Sequence, residues 1–191
     1  MTEFAPQPVS YKRNAAASRA RILEAAQEAF STTGYSHTGI RDIAKMAGVS
    51  STLLVRYFGS KAQLFEEALV ASMRARGMIR WGREDFAEKL ADALIDPAGD
   101  IRGPMIVALG SGDPEAAAIA ARVTVKHGIK VMADWLDGED AEGRTLAMGM
   151  MAAGYVIYAR QLPLPSTDLS NVRQWFIVTM KKLVEGKGWK D

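Results

Sequence analysis

Between its turn signals the chain repeats apolar residues three and four positions apart. Examples are Ile22, Ala26 and Phe30, then Leu64, Ala68 and Leu69, then Val172, Trp175, Phe176, Met180, Leu183 and Val184. That spacing gathers apolar side chains on one side of an α-helix, whereas a half-buried strand would alternate every second residue, a pattern this sequence does not sustain. Turn signals at Thr33-Gly34, Ala47-Gly48-Val49-Ser50, Phe58-Gly59-Ser60, Asp96-Pro97-Ala98-Gly99, Gly110-Ser111-Gly112-Asp113-Pro114, Asp137-Gly138 and Leu162-Pro163-Leu164-Pro165-Ser166 divide the helical stretches. The pattern predicts an all-α chain of about nine helices, three short ones packed as a unit and then a longer bundle. Capping residues set the ends. Ser18 opens a first helix that Gly34 closes, Thr38 caps a helix over 39–47, Ser50 caps one ending before Gly59, and Ser60 caps one over 61–79. Further helices are expected at 83–95, 101–110, 114–136, 139–161 and 168–185, the last closed by Gly186.

The second and third helices carry the most information. Ile40, Ile43, Ala44 and Ala47 form one apolar stripe, Gly48 supplies a sharp reversal, and Val49, Leu54 and Phe58 give the next helix its own inner edge. Two short helices joined by a turn containing Gly make a helix-turn-helix, whose second helix fits the major groove of DNA. With that edge inward, the second helix presents Ser51, Thr52, Leu53, Val55, Arg56 and Tyr57 outward. The helix starts at Thr38 and at Ser60-Lys61 offer free backbone N–H groups to phosphate oxygens.

Charge sharpens this division. The net charge of +2 conceals eight Lys/Arg against four Asp/Glu in residues 1–65, a balance of +4 there and −2 beyond. A basic amino-terminal third suits a polyanion, although a charge excess of that size also occurs on plain solvated faces. The expected organisation is an arm at 1–17, a helix-turn-helix DNA-binding domain at 18–64, and a second helical domain at 65–191. Lys12 and Arg13 fit an arm reaching the minor groove and equally a basic tail.

From Arg21 to Leu64 the chain reads RILEAAQEAFSTTGYSHTGIRDIAKMAGVSSTLLVRYFGSKAQL. The Ala/Phe alternation of the first helix, Gly-Tyr, Thr, Ile-Ala, Ala-Gly-Val-Ser, Tyr-Phe and Ser-Lys resemble the DNA-binding domain of TetR/AcrR-type transcriptional regulators. The resemblance implies that Thr38, Tyr57 and Lys61 touch phosphates and that Arg41, Ser51, Thr52 and Leu53 lie at or near base edges. Two positions depart from the family pattern. Thr52 stands where Gly is common, and Val55 stands where a phosphate-binding Tyr is common, so that contact is absent or passes to Arg56 or Tyr57. Thr52 and Leu53 bring methyl groups suited to the thymine methyl.

The resemblance further implies a homodimer on a palindromic double-stranded DNA operator, repression as the sign of control, and a small-molecule effector bound in the second domain. Residues of the second half fit these expectations. Gly149 and Ala153, with Ala152 beside them, allow close helix approach over about one turn before the bulkier Ile157, and helix 168–185 carries more large apolar residues than one covered face needs. Close packing within one subunit explains the small residues equally well. For an apolar effector, Met105, Met132, Trp135, Met148, Met151, Tyr155 and Tyr158 are the expected lining. Arg122 and His127 lie about 140° apart around their helix, so at most one of them orients the ligand. Arg122 and Arg160 fit solvent-facing positions as well as anionic-ligand partners.

Other classes find less support. With no cysteine, disulfide frameworks, thiolate metal sites and thiol nucleophiles are excluded, and a reducing cytoplasm is the expected compartment. Residues 1–17 lack the apolar core of a signal peptide. The longest uncharged helical stretch, Leu146 to Ala159, is 14 residues against the roughly 20 a membrane span requires. The two His are far apart in sequence, so no metal site is expected, and no cofactor. A helical enzyme is the main alternative, but Ser-His-Asp order, P-loop and dinucleotide motifs are missing. Adjacent acids such as Glu66-Glu67 diverge on a helix. A helical protein-interaction module would leave the basic helix-turn-helix unexplained.

Overall fold

The structure, a computed structural model, describes residues 9–162, 164 and 168–188, with side chains from Asn14 onward. The described residues are helical with no strand, as expected. The helices are α1 (Val9–Thr32), α2 (Ile40–Met46), α3 (Ser51–Phe58), α4 (Lys61–Ser72), α5 (Ala75–Met78), α6 (Gly82–Ile95), α7 (Arg102–Gly110), α8 (Pro114–Val123), α9 (Lys130–Leu136), α10 (Ala141–Val156) and α11 (Ser170–Glu185). A π-helical segment, Thr124–Ile129, joins α8 to α9 without interruption, and a second, Ile157–Gln161, continues α10.

Four expected boundaries are corrected. α1 begins at Val9 and not at Ser18. The run Ser10 to Ala17 contains neither Gly nor Pro and ends in three alanines, the best helix formers, so the helix continues through the supposed cap. Residues 1–8 of the expected arm, and the side chains of Lys12 and Arg13, lie outside the described residues. α2 is capped by Gly39, not by Thr38. The helix expected over 61–79 breaks at Met73, whose φ −75° and ψ 115° are extended. There Ser72 Oγ donates back to Ala68 O at 2.8 Å and accepts from Gln27 Nε2 at 2.9 Å. α7 also closes on this point, since a Cβ on Gly103 would lie 2.9 Å from Ser72 O, and only Gly permits that approach. Finally, α10 starts at Ala141, not at residue 139, because Asp137 and Asp140 hold left-handed φ of 53° and 48° on either side of the reversal.

Two cores hold the molecule. The first unites α1 to α4 around Ile22, Phe30, Ile43, Leu54, Leu64 and Phe65, and extends into the body through Ile106, Ala116, Ile119 and Val123. The second gathers Phe86, Leu90, Met132, Tyr155, Phe176 and Met180 from α6, α9, α10 and α11. The boundary expected after Leu64 thus falls inside α4, within the first core. α4 packs on α1 on one side and on α7 and α8 on another, so it joins module to body.

Candidate nucleic-acid interface

The α2–α3 corner is fixed by local chemistry. Ala47 ends α2, Gly48 takes φ +64°, and the amides of Gly48 and Val49 return to Lys45 O at 3.2 Å and Ala44 O at 3.0 Å. These paired bonds satisfy carbonyls that a helix end leaves open. Ser50 Oγ accepts from Leu53 N at 3.2 Å to start α3, as its position in the sequence predicts. Gly59 then turns at φ +75°, and Ser60 and Gln63 cap α4 reciprocally, each side chain accepting the other's amide at 3.1 Å. A side chain at residue 59 would collide with this box, since its Cβ would fall 2.0 Å from Gln63 Oε1.

α3 buries Leu54 and Phe58 and turns Thr52, Val55 and Arg56 fully outward, with Ser51, Leu53 and Tyr57 half-buried at the edges of the same face. Arg41 and Lys45 are exposed on α2, and Lys61 is half-buried at the start of α4. Seven of the eight expected DNA-contacting residues, Arg41, Ser51, Thr52, Leu53, Arg56, Tyr57 and Lys61, are thus exposed or half-buried on α2, α3 and the start of α4. Thr38 is the exception and is corrected. It is 4% exposed, and its hydroxyl donates to Gly34 O at 2.6 Å, also lying 3.4 Å from Ala29 O. That side chain pins the α1–α2 loop and has nothing left for a phosphate.

Polar contacts tie the module to the body. Tyr35 Oη donates to Glu115 Oε2 at 2.5 Å, and Ser36 Oγ donates to Asp113 Oδ2 at 3.1 Å, both acceptors lying at the start of α8. Burial, reinforced by Glu115, pushes the Tyr35 phenol well above its ordinary range. Arg122 donates to Glu66 Oε2 at 2.7 Å across α8 and α4, and Arg102 on α7 donates to Glu24 Oε1 on α1 at 2.5 Å. Arg102, assisted by Arg74, holds the Asp100 carboxyl well below the usual carboxylate range. Of these residues only Tyr35 sits in a recognisable motif. Asp113 and Glu115 look like plain helix-start acids in the sequence, because nothing local encodes a contact across about eighty positions.

The expected effector lining divides. Met132 and Tyr155 are buried in the second core, with Met105, Trp135 and Met151 packed against it. Arg122 and Tyr158 are corrected. Arg122 is exposed and spent on Glu66, Tyr158 is exposed beyond the end of α10, and His127 sits half-buried in the first π-helical segment. Among the described residues two buried hydroxyls, Tyr155 Oη and Thr124 Oγ1, have no hydrogen-bond partner, and no local sequence pattern signals that. Tyr155 stacks on Phe176 with centroids 4.6 Å apart, and burial pushes its phenol up. Met105 also borders an open groove of about 610 Å³ between α1 and the α6–α7 loop, beside Glu24, Glu28, Asp100 and Leu109. Arg160 is spent on the carbonyls of Leu94, Pro97 and Gly99.

A helix-turn-helix with capped corners, mounted on a helical body, is an arrangement found among DNA-binding regulators. Residues 22–68 match the family described as bacterial regulatory proteins, tetR family. The HTH-type transcriptional regulator TtgR of Pseudomonas putida is 40% identical over 91 residues, 48% of this chain, and the match spans 40% of TtgR's length. A Rhodococcus sp. structure classed with TetR-family transcriptional regulators superposes with TM-score 0.68 at 18% identity, covering 88% of this chain and 99% of that one. NalD of Pseudomonas aeruginosa, described as the secondary repressor of the MexAB-OprM multidrug efflux pump, gives TM-score 0.58 at 20% identity over 88% of this chain and 95% of its own. The amino-terminal module is therefore of the TetR type, and the helical body shares the fold of the TetR-classed structures. Among the described residues no helix is long and apolar enough to cross a membrane.

Proposed function

We propose that this regulator binds duplex DNA as a two-fold dimer, with α3 in the major groove and the starts of α2 and α4 on the phosphates. The observation that carries the reading is a corner whose caps fix its shape and which leaves Arg41, Thr52 and Arg56 exposed, with Lys61 half-buried at the start of the next helix. Arg56, Tyr57 and Lys61 position the protein on the backbone, while Thr52 and Leu53 read base edges, with Arg41 and Ser51 beside them. The family match over residues 22–68 and TtgR's name support DNA binding here. The protein acts by binding and not by catalysis, and repression is the proposed sign of control.

α10 and α11 supply the dimer face. Met150 is 68% exposed and Trp175 58%, with Leu146, Val172 and Val178 also outward, a row of apolar side chains that a soluble monomer would not leave bare. Between them a Cβ on Gly149 would meet nothing within 4 Å, so this part of α10 is open to a second helix. One module touches too little DNA for tight selection, and a dimer doubles the contact and fixes half-site spacing.

Effector response is proposed for the second core. An unpartnered buried hydroxyl costs roughly 1–3 kcal/mol, and Tyr155 and Thr124 each carry one beside a π-helical segment, a distortion frequent at functional sites. A mainly apolar ligand with a hydrogen-bonding group would satisfy Tyr155 while displacing Met132 or Met151. The experiment is genomic footprinting with the purified chain. It is expected to return a pseudo-palindromic site protected by two subunits; uniform binding without a preferred sequence would contradict the operator reading.

A further inference from the structure

The ammonium of Lys61 is not free to serve phosphate alone. Nζ lies 4.1 Å from the centre of the Tyr35 ring, inside cation–π range. That ring is 5% exposed and wedged edge-on against Phe65 with centroids 5.0 Å apart, so it cannot swing away. Its hydroxyl donates to Glu115, and the neighbouring Ser36 donates to Asp113. Asp113 in turn caps α8, Oδ1 accepting from Glu115 N at 3.0 Å and Ala116 N at 3.1 Å. The Ala116 amide first, then Ser36, the Glu115 amide and the Lys61 charge, hold the Asp113 carboxyl below its ordinary range.

We propose that Asp113 and Glu115, at the start of α8, brake DNA binding by competing with phosphate for Lys61 through the Tyr35 contact. A phenol that donates to a carboxylate gains electron density in its ring, which strengthens the ring's hold on a cation. Asp113 adds direct attraction. Each phosphate contact by Lys61 is made against this hold, so its strength depends on where the start of α8 sits. A body rearrangement that withdraws α8 from the Tyr35–Ser36 loop would release Lys61 and tighten binding, with the recognition helix unmoved. The inference rests on the phosphate role proposed for Lys61.

Glu115→Gln tests it, because the amide oxygen still accepts from Tyr35 while the charge is gone. Asp113→Asn is the companion, since Asn caps a helix about as well as Asp. Unfolding temperature, measured alongside, identifies any variant that fails to fold, and the other then decides. Each variant of the full chain is expected to bind duplex DNA roughly two- to fivefold more tightly per subunit at low salt. The gain should appear equally on all sequences and vanish in a Lys61→Ala background. Unchanged or weaker binding, or the same gain without Lys61, would overturn the brake. Wild-type protein without affinity for duplex DNA would overturn the DNA-binding reading and the brake with it, whereas wild-type binding with unresponsive variants overturns the brake alone.

Discussion

At the scale of single residues, roles within the module separate by what each side chain can touch. Lys61→Ala should weaken binding to all sequences about equally and lower the salt slope by roughly one per subunit, measured by titration of specific and random duplexes. Thr52→Ala or Leu53→Ala should change the preferred base at one half-site position by about 1–3 kcal/mol, read from a panel of single-base operator variants. A Lys61→Ala protein with altered sequence preference and an unchanged salt slope would refute its positioning role. The shape of the corner was legible in the sequence, because Gly48, Ser50 and Ser60 announce turns and caps through local chemistry that needs no tertiary context. Thr38 was not. A threonine before a helix serves equally as a cap or as a bond back into the protein, and only the position of Gly34 O, 2.6 Å from its hydroxyl, decides.

At the scale of helices, arginine side chains finish what capping leaves undone. Arg144, 3% exposed, donates to Leu183 O at 3.0 Å and Glu139 O at 3.1 Å, and also to Asp137 O, so it ties the end of α9 to the end of α11. Arg83 donates to Trp135 O at 2.6 Å and Leu136 O at 2.8 Å from the other side. Cations suit these ends, where helix carbonyls concentrate negative partial charge. Arg144→Met should cost about 2–4 kcal/mol, since it strands several carbonyls at once, and the shift in denaturant midpoint at constant slope checks it. Neither clamp is readable from spacing, because a buried arginine and a solvated one look alike in a helical pattern. The Met73 break escaped for a related reason: it arises where the end of α4 meets Gly103 of α7, not from local propensity. Apolar periodicity, by contrast, located α6, α7 and α11 to within two residues at each end, because each buries a single continuous stripe.

At the scale of the whole molecule, one side of α11 is committed within the protomer. Arg173 donates to Asp92 at 2.5 Å and Lys181 to Glu88 at 2.8 Å, both on α6, which leaves Trp175 and Val178 facing outward. Gly149→Leu adds a side chain into open space within the protomer. It should therefore leave monomer folding intact while reducing both dimer mass in sedimentation and operator affinity. A wild-type monomer at micromolar concentration would refute the dimer face. The central claim, duplex binding through the module by a dimer, meets its most direct test in a salt titration of the wild-type chain against its footprinted site. Each phosphate neutralised on B-form DNA contributes about −0.9 to the slope of log affinity against log salt. With Arg56, Tyr57 and Lys61 as backbone contacts, of which two are cationic, two subunits should give a slope of about −4 and a stoichiometry of two chains per duplex. A slope indistinguishable from zero, or one chain per site, would contradict it.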